Sequence, residues 1–346
     1  MNNKRVTIYD LAREMNISVS YISKALNNHP SVSARVKEMV KKKAEELKYK
    51  HNSYAANLRR GSSRTIGVIV PHINKSFFSE AIAGIEEVCF ENNYGLIICQ
   101  SQDSYIKECK AIDTLIHQNV DCILISISAE TQSSAHLQSI KNNNIEIIQF
   151  DRYIDTLNSY KVLNNNEEIS FNVVKHLIDQ GYKKIACLCG PEHLTIFELR
   201  KKGYLKALKE AGLAIPANYI LNNAFSKEIT IELVTVLLKT SEPPDAFFTV
   251  ADHQALGVLQ AAKSLGIRVP EQLGIIGFAN EAFTGIITPA LSSVDQKSKE
   301  LGKRAAKLYF ETLVKKNDKS VAARKEEIID AEIIIRESTT RKSTLH

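Results

Sequence analysis

Side chains able to bond to bases and phosphates crowd one short stretch of the chain. Val19, Ser20, Ser23, Lys24 and Asn27 alternate at helical spacing with Ile22, Ala25 and Leu26, so the first set shares a face that the apolar set leaves free. Near the start of such a helix, Val19 suits a thymine methyl and Ser20 a hydrogen bond to a base edge. Lys24, one turn on, suits guanine acceptors or a phosphate. Tyr9, Tyr21 and Ser33 are better placed for backbone phosphates, which orient a domain without reading sequence. Further on, Leu58 stands among Arg59, Arg60 and Arg64 with no obvious core to join, an arrangement suited to wedging a base step open from the minor groove. An ordinary linker with a stray leucine has the same composition.

A second set of residues follows a series of apolar runs. Phe77 and Phe78 come after Thr65–Val70, Asp151 and Arg152 after Ile145–Phe150, Asp252 after Phe247–Val250, and Asn280 after Gly277; Arg200 lies beyond Gly190-Pro191. If the runs are parallel strands, these residues gather outside their carboxyl ends, where open α/β sheets bind ligands. Aromatic faces with carboxylates, an amide and guanidiniums around one cleft suit a sugar or another polar metabolite. Each residue alone also has a structural reading: the phenylalanines as core, Asp252 as a helix cap, Arg152 as partner of Asp151 or a neighbouring acid. Against an enzyme, the chain has no nucleophile-elbow, P-loop, dinucleotide-binding or His-Glu-x-x-His motif. His72, His117, His136, His176 and His193 are scattered, and neither a cofactor nor a metal is expected. The six cysteines lack Cys-x-x-Cys spacing and read as buried, reduced thiols of a cytosolic protein.

The elements that must position these groups can be read from periodicity. Ile8, Leu11, Ala12 and Met15 form one helical stripe that Thr7 and Asp10 open as a capping box. Asn16 suits a left-handed turn residue, Ser18 caps the second helix, and Val36, Val40, Ala44 and Leu47 mark a third after Ser33. Two short helices, a tight turn and a supporting helix make a helix-turn-helix; a three-helix bundle that binds nothing would show the same stripes. Charge separates the two readings. Residues 1–64 hold 14 Lys/Arg against 5 Asp/Glu, a net +9, whereas the other 282 hold 31 against 34, a net −3. A basic head on a mildly acidic body is the footprint of a nucleic-acid-binding domain joined to something else.

Residues 52–60 hold only about two turns of helix, short of the roughly 12–15 residues that an isolated helix needs in water, so they should be helical only when packed on something. From Thr65 onward, strands are expected at Thr65–Val70, Gly95–Cys99, Asp121–Ile127, Ile145–Phe150, Lys184–Cys189, Ala246–Val250 and Leu273–Phe278. Helices are expected near Phe77–Asn92, Tyr105–His117, Glu167–Asp179, Phe197–Glu210, Glu228–Leu238 and His253–Leu265. This alternation predicts two doubly wound parallel-sheet subdomains. No run approaches the roughly 18 apolar residues of a membrane helix, and the charged opening MNNKRVTIYDLAREMN does not read as a secretory signal, so a cytoplasmic location with no membrane partner is expected.

The stretch VTIYDLAREMNISVSYISKALNNHPSVSARVKEMVKKKAEELKYKHNSYAANLRRGSSRTIGVIVP closely resembles the LacI/GalR family of bacterial transcription regulators. In the body, GPEHLTIFELRKKGY, FFTVADHQALG, VPEQLGIIGFAN with TPALSSVDQ, and EIIIRES extend the resemblance over nearly the whole chain. The resemblance implies a helix-turn-helix domain at 1–50, a hinge at 51–64, and a periplasmic-binding-protein-like core at 65–340. Within the core it implies one subdomain of about 65–162 and 296–327 and a second of about 163–295 and 328–340; the tail 341–346 should be disordered.

It further implies a homodimer on a pseudo-palindromic double-stranded operator, most often as a repressor whose affinity a small molecule controls. Candidate DNA-binding residues are then Thr7, Tyr9, Ser18, Val19, Ser20, Tyr21, Ser23, Lys24, Asn27 and Ser33, joined by Asn52, Ala55, Leu58 and Arg59 of the hinge. Phe77, Phe78, Asp151, Arg152, Arg200, Phe225, Asp252 and Asn280 fall on family effector positions.

Two departures stand out. Gly277-Phe278-Ala279 lacks the aspartate that relatives usually carry there, and Asn164 replaces another aspartate. Losing a carboxylate while keeping Arg152 and Arg200 favours a sugar acid or phosphate over a neutral sugar. Alternatives are a degenerate pocket controlled by a protein corepressor, or a cytosolic solute-binding protein.

Overall fold

The computed structural model describes residues 6–49, 62–222, 226–311 and 325–341. The chain divides into two compact units, 1–63 and 64–346.

In the first unit, α1 (Ile8–Met15), α2 (Val19–Leu26) and α3 (Ala34–Glu46) enclose a small core of Leu11, Ala12, Ile22, Ala25, Val32, Val40 and Ala44. Each start is set by a hydroxyl that satisfies an otherwise unpaired amide of the first turn. Thr7 forms a capping box with Asp10, Ser18 accepts from the Tyr21 amide, and Ser33 from that of Val36. Asn16 ends α1 in the left-handed conformation, φ 51°, which turns the chain sharply into α2.

The second unit is a two-lobed α/β body. Lobe one is built on a six-stranded parallel sheet made of β1 (Thr65–Val70), β2 (Gly95–Gln100), β3 (Cys122–Ile125), β4 (Glu146–Phe150), β5 (Tyr160–Asn164) and β11 (Glu326–Ile329). Their order is β11-β5-β4-β3-β1-β2. Helices α4 (Ser76–Glu91) and α11 (Ser298–Tyr309) cover one face, and α5 (Tyr105–His117) and α6 (Gln138–Asn142) the other. Because both faces are covered, β1 and β3 are buried almost throughout.

Lobe two carries a four-stranded parallel sheet ordered β7-β6-β8-β9, from β6 (Ile185–Leu188), β7 (Ile220–Leu221), β8 (Ala246–Thr249) and β9 (Gly274–Ile276). Helices α7 (Asn166–Asp179) and α8 (Thr195–Glu210) lie on one face, and α9 (Lys227–Leu238) and α10 (Asp252–Ser264) on the other. Beside it, β10 (Ser293–Asp295) pairs antiparallel with β12 (Glu332–Ile334).

The expected strands and helices are all present, with ends moved by a few residues. The periodicity missed β5, α6, β7, β10, α11, β11 and β12. α11 was obscured by its five charged residues and by Gly302 in its interior. That glycine answers a tertiary demand: a Cβ there would lie 2.0 Å from the Ala81 carbonyl oxygen, so α11 and α4 cross with backbones nearly touching. The expected borders at 162/163 and 327/328 also need correction, since they cut β5 and β11 of the first sheet. Pairing keeps both strands whole, and the chain crosses between lobes after Asn164, after Asp295 and after Ile329.

All six cysteines are free thiols, four of them buried. Among the described residues no helix is long and apolar enough to cross a membrane, and no group of three potential ligands could hold a metal ion.

Candidate functional site

The head presents one polar face. Ser20 and Lys24 are exposed on α2, Ser23 is half-buried beside them, and Tyr9 on α1 is 67% exposed. Asn27 turns its amide back to donate to the Ser23 carbonyl at 2.7 Å. Thr7, Ser18 and Ser33 are the three caps; their hydroxyls hold helix starts, and all three residues are exposed.

One expectation is corrected. Val19 does not stand clear of the core but is half-buried against it, as is Tyr21. Val19 lies three residues before Ile22, which places it at the margin of the buried stripe. Asn52, Ala55, Leu58 and Arg59 lie outside the described residues, as does Phe225 of the effector set.

In the body a cleft of about 940 Å³ opens at the carboxyl ends of both sheets. Phe77, Phe78, Asp151, Arg152 and Arg200 all line it. The first two sit in the opening turn of α4, with ring centroids 5.1 Å apart in an edge-to-face pair. They are also part of lobe one's core, so lining the cleft and packing in the core go together. Arg152 follows β4, and its guanidinium lies 5.7 Å from the Phe78 ring centroid. Its Nη1 donates to Asp103 Oδ1 at 2.6 Å.

Asp103 also accepts from the Ala129 amide at 2.9 Å and faces His72 Nε2 at 3.0 Å. Burial raises its carboxyl, but Arg152, the Ala129 amide and His72 together outweigh burial and hold it below the usual carboxylate range. Asp103 and His72 were missed. The rule that ligands gather beyond strand ends applies to β2 as well, and would have found Gln102 and Asp103 directly after it.

Arg200 comes from α8 and is 3% exposed. Its Nε donates to Asn166 Oδ1 at 2.8 Å, its Nη1 donates to the Val250 carbonyl at 2.9 Å, and its guanidinium lies 3.7 Å from the Phe278 ring centroid. Burial lowers its pKa to about 10, with Asp151 opposing. Asp151 is raised by burial, against the pull of Arg152, Arg200 and the Ser126 hydroxyl. Arg152 is therefore ion-paired with Asp103, whereas Arg200 bonds neutral acceptors and has Asp151 as an electrostatic neighbour.

Asp252 and Asn280 do not line the cleft. Asp252 is fully buried at the start of α10, where it accepts from the Ser293 hydroxyl at 2.6 Å and the Glu281 amide at 2.7 Å. Asn280 accepts from Arg336 Nη2 at 2.7 Å and turns its amide towards Asp295. Both serve to fix the Gly277–Glu281 turn, in which Ala279 (φ 116°) lines the cleft and Asn280 (φ 50°) follows it. Such angles are strained for residues with a Cβ and persist only where surrounding bonds impose them. Here those bonds run from the Ala279 amide to the Val294 carbonyl, and from the Asn280 amide to the Ser293 hydroxyl.

Burial raises the Asp252 carboxyl to about 6, more than the Ser293 and Glu281 bonds lower it. Between the unfolded value near 4 and that figure, the folded body holds a proton that the unfolded chain has released. Asp252 thus contributes stability that is complete below about pH 4 and fades as pH rises through about 6. Asp252→Asn should remove this falling component, of about 3 kcal/mol, from the difference between the two proteins' pH–stability curves. Urea unfolding at pH 4.5 to 7 reads it; curves that stay parallel would refute the assignment.

A helix-turn-helix head followed by a two-lobed body with a ligand cleft defines the class: a DNA-binding regulator with a core like that of periplasmic binding proteins. Residues 7–52 match bacterial regulatory proteins of the lacI family, and residues 174–339 match the periplasmic binding protein-like domain. The chain is 33% identical over 304 residues to catabolite control protein A of Priestia megaterium, covering 88% of this chain and 91% of that protein. It is 32% identical over 333 residues to the transcriptional repressor CytR of Escherichia coli, covering 96% of each. The crystal structure of the lac repressor dimer bound to operator, 21% identical, matches the fold with a TM-score of 0.85 over 98% of this chain and all of that one. The chain belongs to the LacI family: it is a DNA-binding transcriptional repressor and not an enzyme. Repressors of this family bind DNA operators and small-molecule effectors.

Proposed function

We propose that this repressor acts in the cytoplasm as a homodimer on a pseudo-palindromic operator, and that a neutral sugar in the cleft sets its operator affinity. Ser20 and Lys24 read base edges, helped by Val19 at the margin of the core. Tyr9, Tyr21, Ser23, Asn27 and the caps Thr7, Ser18 and Ser33 meet the backbone. Leu58, flanked by Arg59, opens the central base step, with Asn52 and Ala55 on the same hinge. Effector occupancy shifts the equilibrium between DNA-competent and DNA-incompetent arrangements, a coupling that is typically about 1–3 kcal/mol.

The observation that carries the choice of effector is the charge balance of the cleft. Lys75, Arg152, Arg200 and Lys227 face Asp103, Glu130, Asp151, Glu228 and Glu281, so four cations meet five carboxylates. With Arg152 held by Asp103 and Arg200 already bonded to Asn166 and the Val250 carbonyl, an anionic ligand would have to displace Asp103 from one guanidinium and compete with these acceptors for the other. This argues for a neutral sugar over the acid or phosphate that the missing carboxylate at Ala279 suggested. Hydroxyl groups can donate to Asp103 and Asp151 while a ring packs on Phe77 and Phe78.

The test joins two assays on the intact protein: selection of bound sites from random duplex DNA, and thermal shift with a panel of neutral sugars, sugar acids and sugar phosphates. A two-fold symmetric site whose binding responds to a neutral sugar is expected. Stabilisation by anionic sugars alone, or selection of no symmetric site, would overturn the proposal.

A further inference from the structure

We propose that Leu194 and Ile196 are positioning residues that hold the two lobes together over the cleft and so set the effector affinity, a reading that rests on the cleft being the effector site. The observation starts from a broken local rule. α8 begins after Leu194, whose backbone is extended and whose side chain makes no cap hydrogen bond. Leucine is a poor choice there, because the first amides of the helix are left without a side-chain acceptor. Thr7, Ser18, Ser33 and Ser226 make such bonds at the starts of α1, α2, α3 and α9, whereas α4, α5, α6, α7, α10 and α11 begin, like α8, without one. What sets Leu194 apart is the tertiary demand that it meets.

That demand is visible in the packing. Leu194 and Ile196 are 1% and 3% exposed, and both belong to the apolar core of lobe one, together with Ile127, Leu137 and Tyr153. The chain around them nevertheless builds lobe two. The neighbouring His193 Nε2 bonds to the Ala129 carbonyl, in the loop after β3 of lobe one. Phe197 packs against the cores of both lobes and lies under the Arg200 guanidinium, 5.6 Å from its ring centroid. The first turn of α8 is therefore seated in lobe one, while the same helix carries Arg200 to the cleft.

The receiving loop is itself pinned. Buried Glu108 of α5 accepts from the Thr131 hydroxyl at 2.7 Å and faces His136 Nε2 at 2.7 Å, and the Ser128 amide bonds to its other oxygen. Burial of these two aliphatic side chains, which also line the cleft, is non-directional and needs no ligand to form. It biases the lobes towards the arrangement seen here, and apparent affinity scales with the fraction of molecules already in the binding-competent arrangement.

Hydrogen exchange followed by mass spectrometry on the full chain tests this without any sugar, so the result stands apart from the identity of the effector. In Leu194→Ala, amides of residues 127–137 in lobe one should exchange at least about tenfold faster, together with those of 192–199. Strands β6 and β8 should keep their protection, and Leu194→Met should restore the loop. His193→Ala, which leaves both cores intact, should give the same pattern at about threefold. Should Leu194→Ala loosen β6 and β8 as well, the His193 variant decides. Faster exchange confined to residues 190–199, with 127–137 unchanged in His193→Ala, overturns the proposal.

Discussion

Arg200→Met should lower the stability of the body by about 3–5 kcal/mol and abolish its response to the effector. The methionine keeps much of the volume, so the loss isolates the charge. Asn166 Oδ1 and the Val250 carbonyl, both on buried residues, lose donors they accept from at 2.8 and 2.9 Å. Asp151, buried and already raised by its surroundings, loses a neighbouring cation that favours its ionised form. Removing one member of a buried set of charges is more damaging than removing both, because the remaining charge is left in a low-dielectric site. Asp151→Asn combined with Arg200→Met should therefore be less destabilised than the sum of the two single changes, a coupling that urea unfolding of the four proteins would measure. Simple additivity, or a wild-type midpoint for Arg200→Met, would show that the guanidinium balances nothing.

Ile22→Ala should act on the other unit alone, and there it should be close to all-or-none. Ile22 is fully buried in the head's core. Truncating such a side chain removes about 2–5 kcal/mol. The head's few dozen residues, at roughly 0.05–0.15 kcal/mol per residue, hold only about that much in total. Specific operator binding should fall by at least about 100-fold in fluorescence anisotropy. The thermal transition of the body, and any shift that a sugar gives it, should stay unchanged, because the body has apolar cores of its own. Ser20→Ala is the contrast: exposed and outside that core, it should alter which sites are selected while leaving the head folded. Retention of wild-type operator affinity by Ile22→Ala would separate DNA binding from the three-helix core.

Much of this architecture was legible in the residues. Local signals sufficed where one short stretch fixes the answer: the Thr7–Asp10 capping box, the left-handed Asn16, and the apolar runs of β1 and β3 that parallel pairing buries on both faces. They failed where a partner distant in sequence decides. β5 mixes Lys161 and Asn164 with Val162 and Leu163, and is a strand because β4 and β11 flank it. α11 tolerates an interior glycine because α4 passes there. The site divides the same way. Phe77, Phe78, Asp151, Arg152 and Arg200 follow strands or helix starts that periodicity locates. Asp103 and His72 were overlooked, and Asn280 was misplaced because a bond to Arg336, fifty-six residues on, turns it aside.

The sequence by itself determined a basic three-helix head, an α/β body in two lobes, and the side chains that could meet nucleic acid and ligand, since caps, charge and hydrophobic period act over a few residues. Only the tertiary structure decided which charges are already spent. In sequence Arg152 could bind an anion or pair with Asp151 or another nearby acid; the fold gives it Asp103, forty-nine residues away in sequence and 2.6 Å away in space. Leu194 looks like a faulty helix cap until the other lobe's core is found around it. Electrostatic pairing and apolar burial depend on distance in space, and the folding of a chain sets that distance independently of the separation along it.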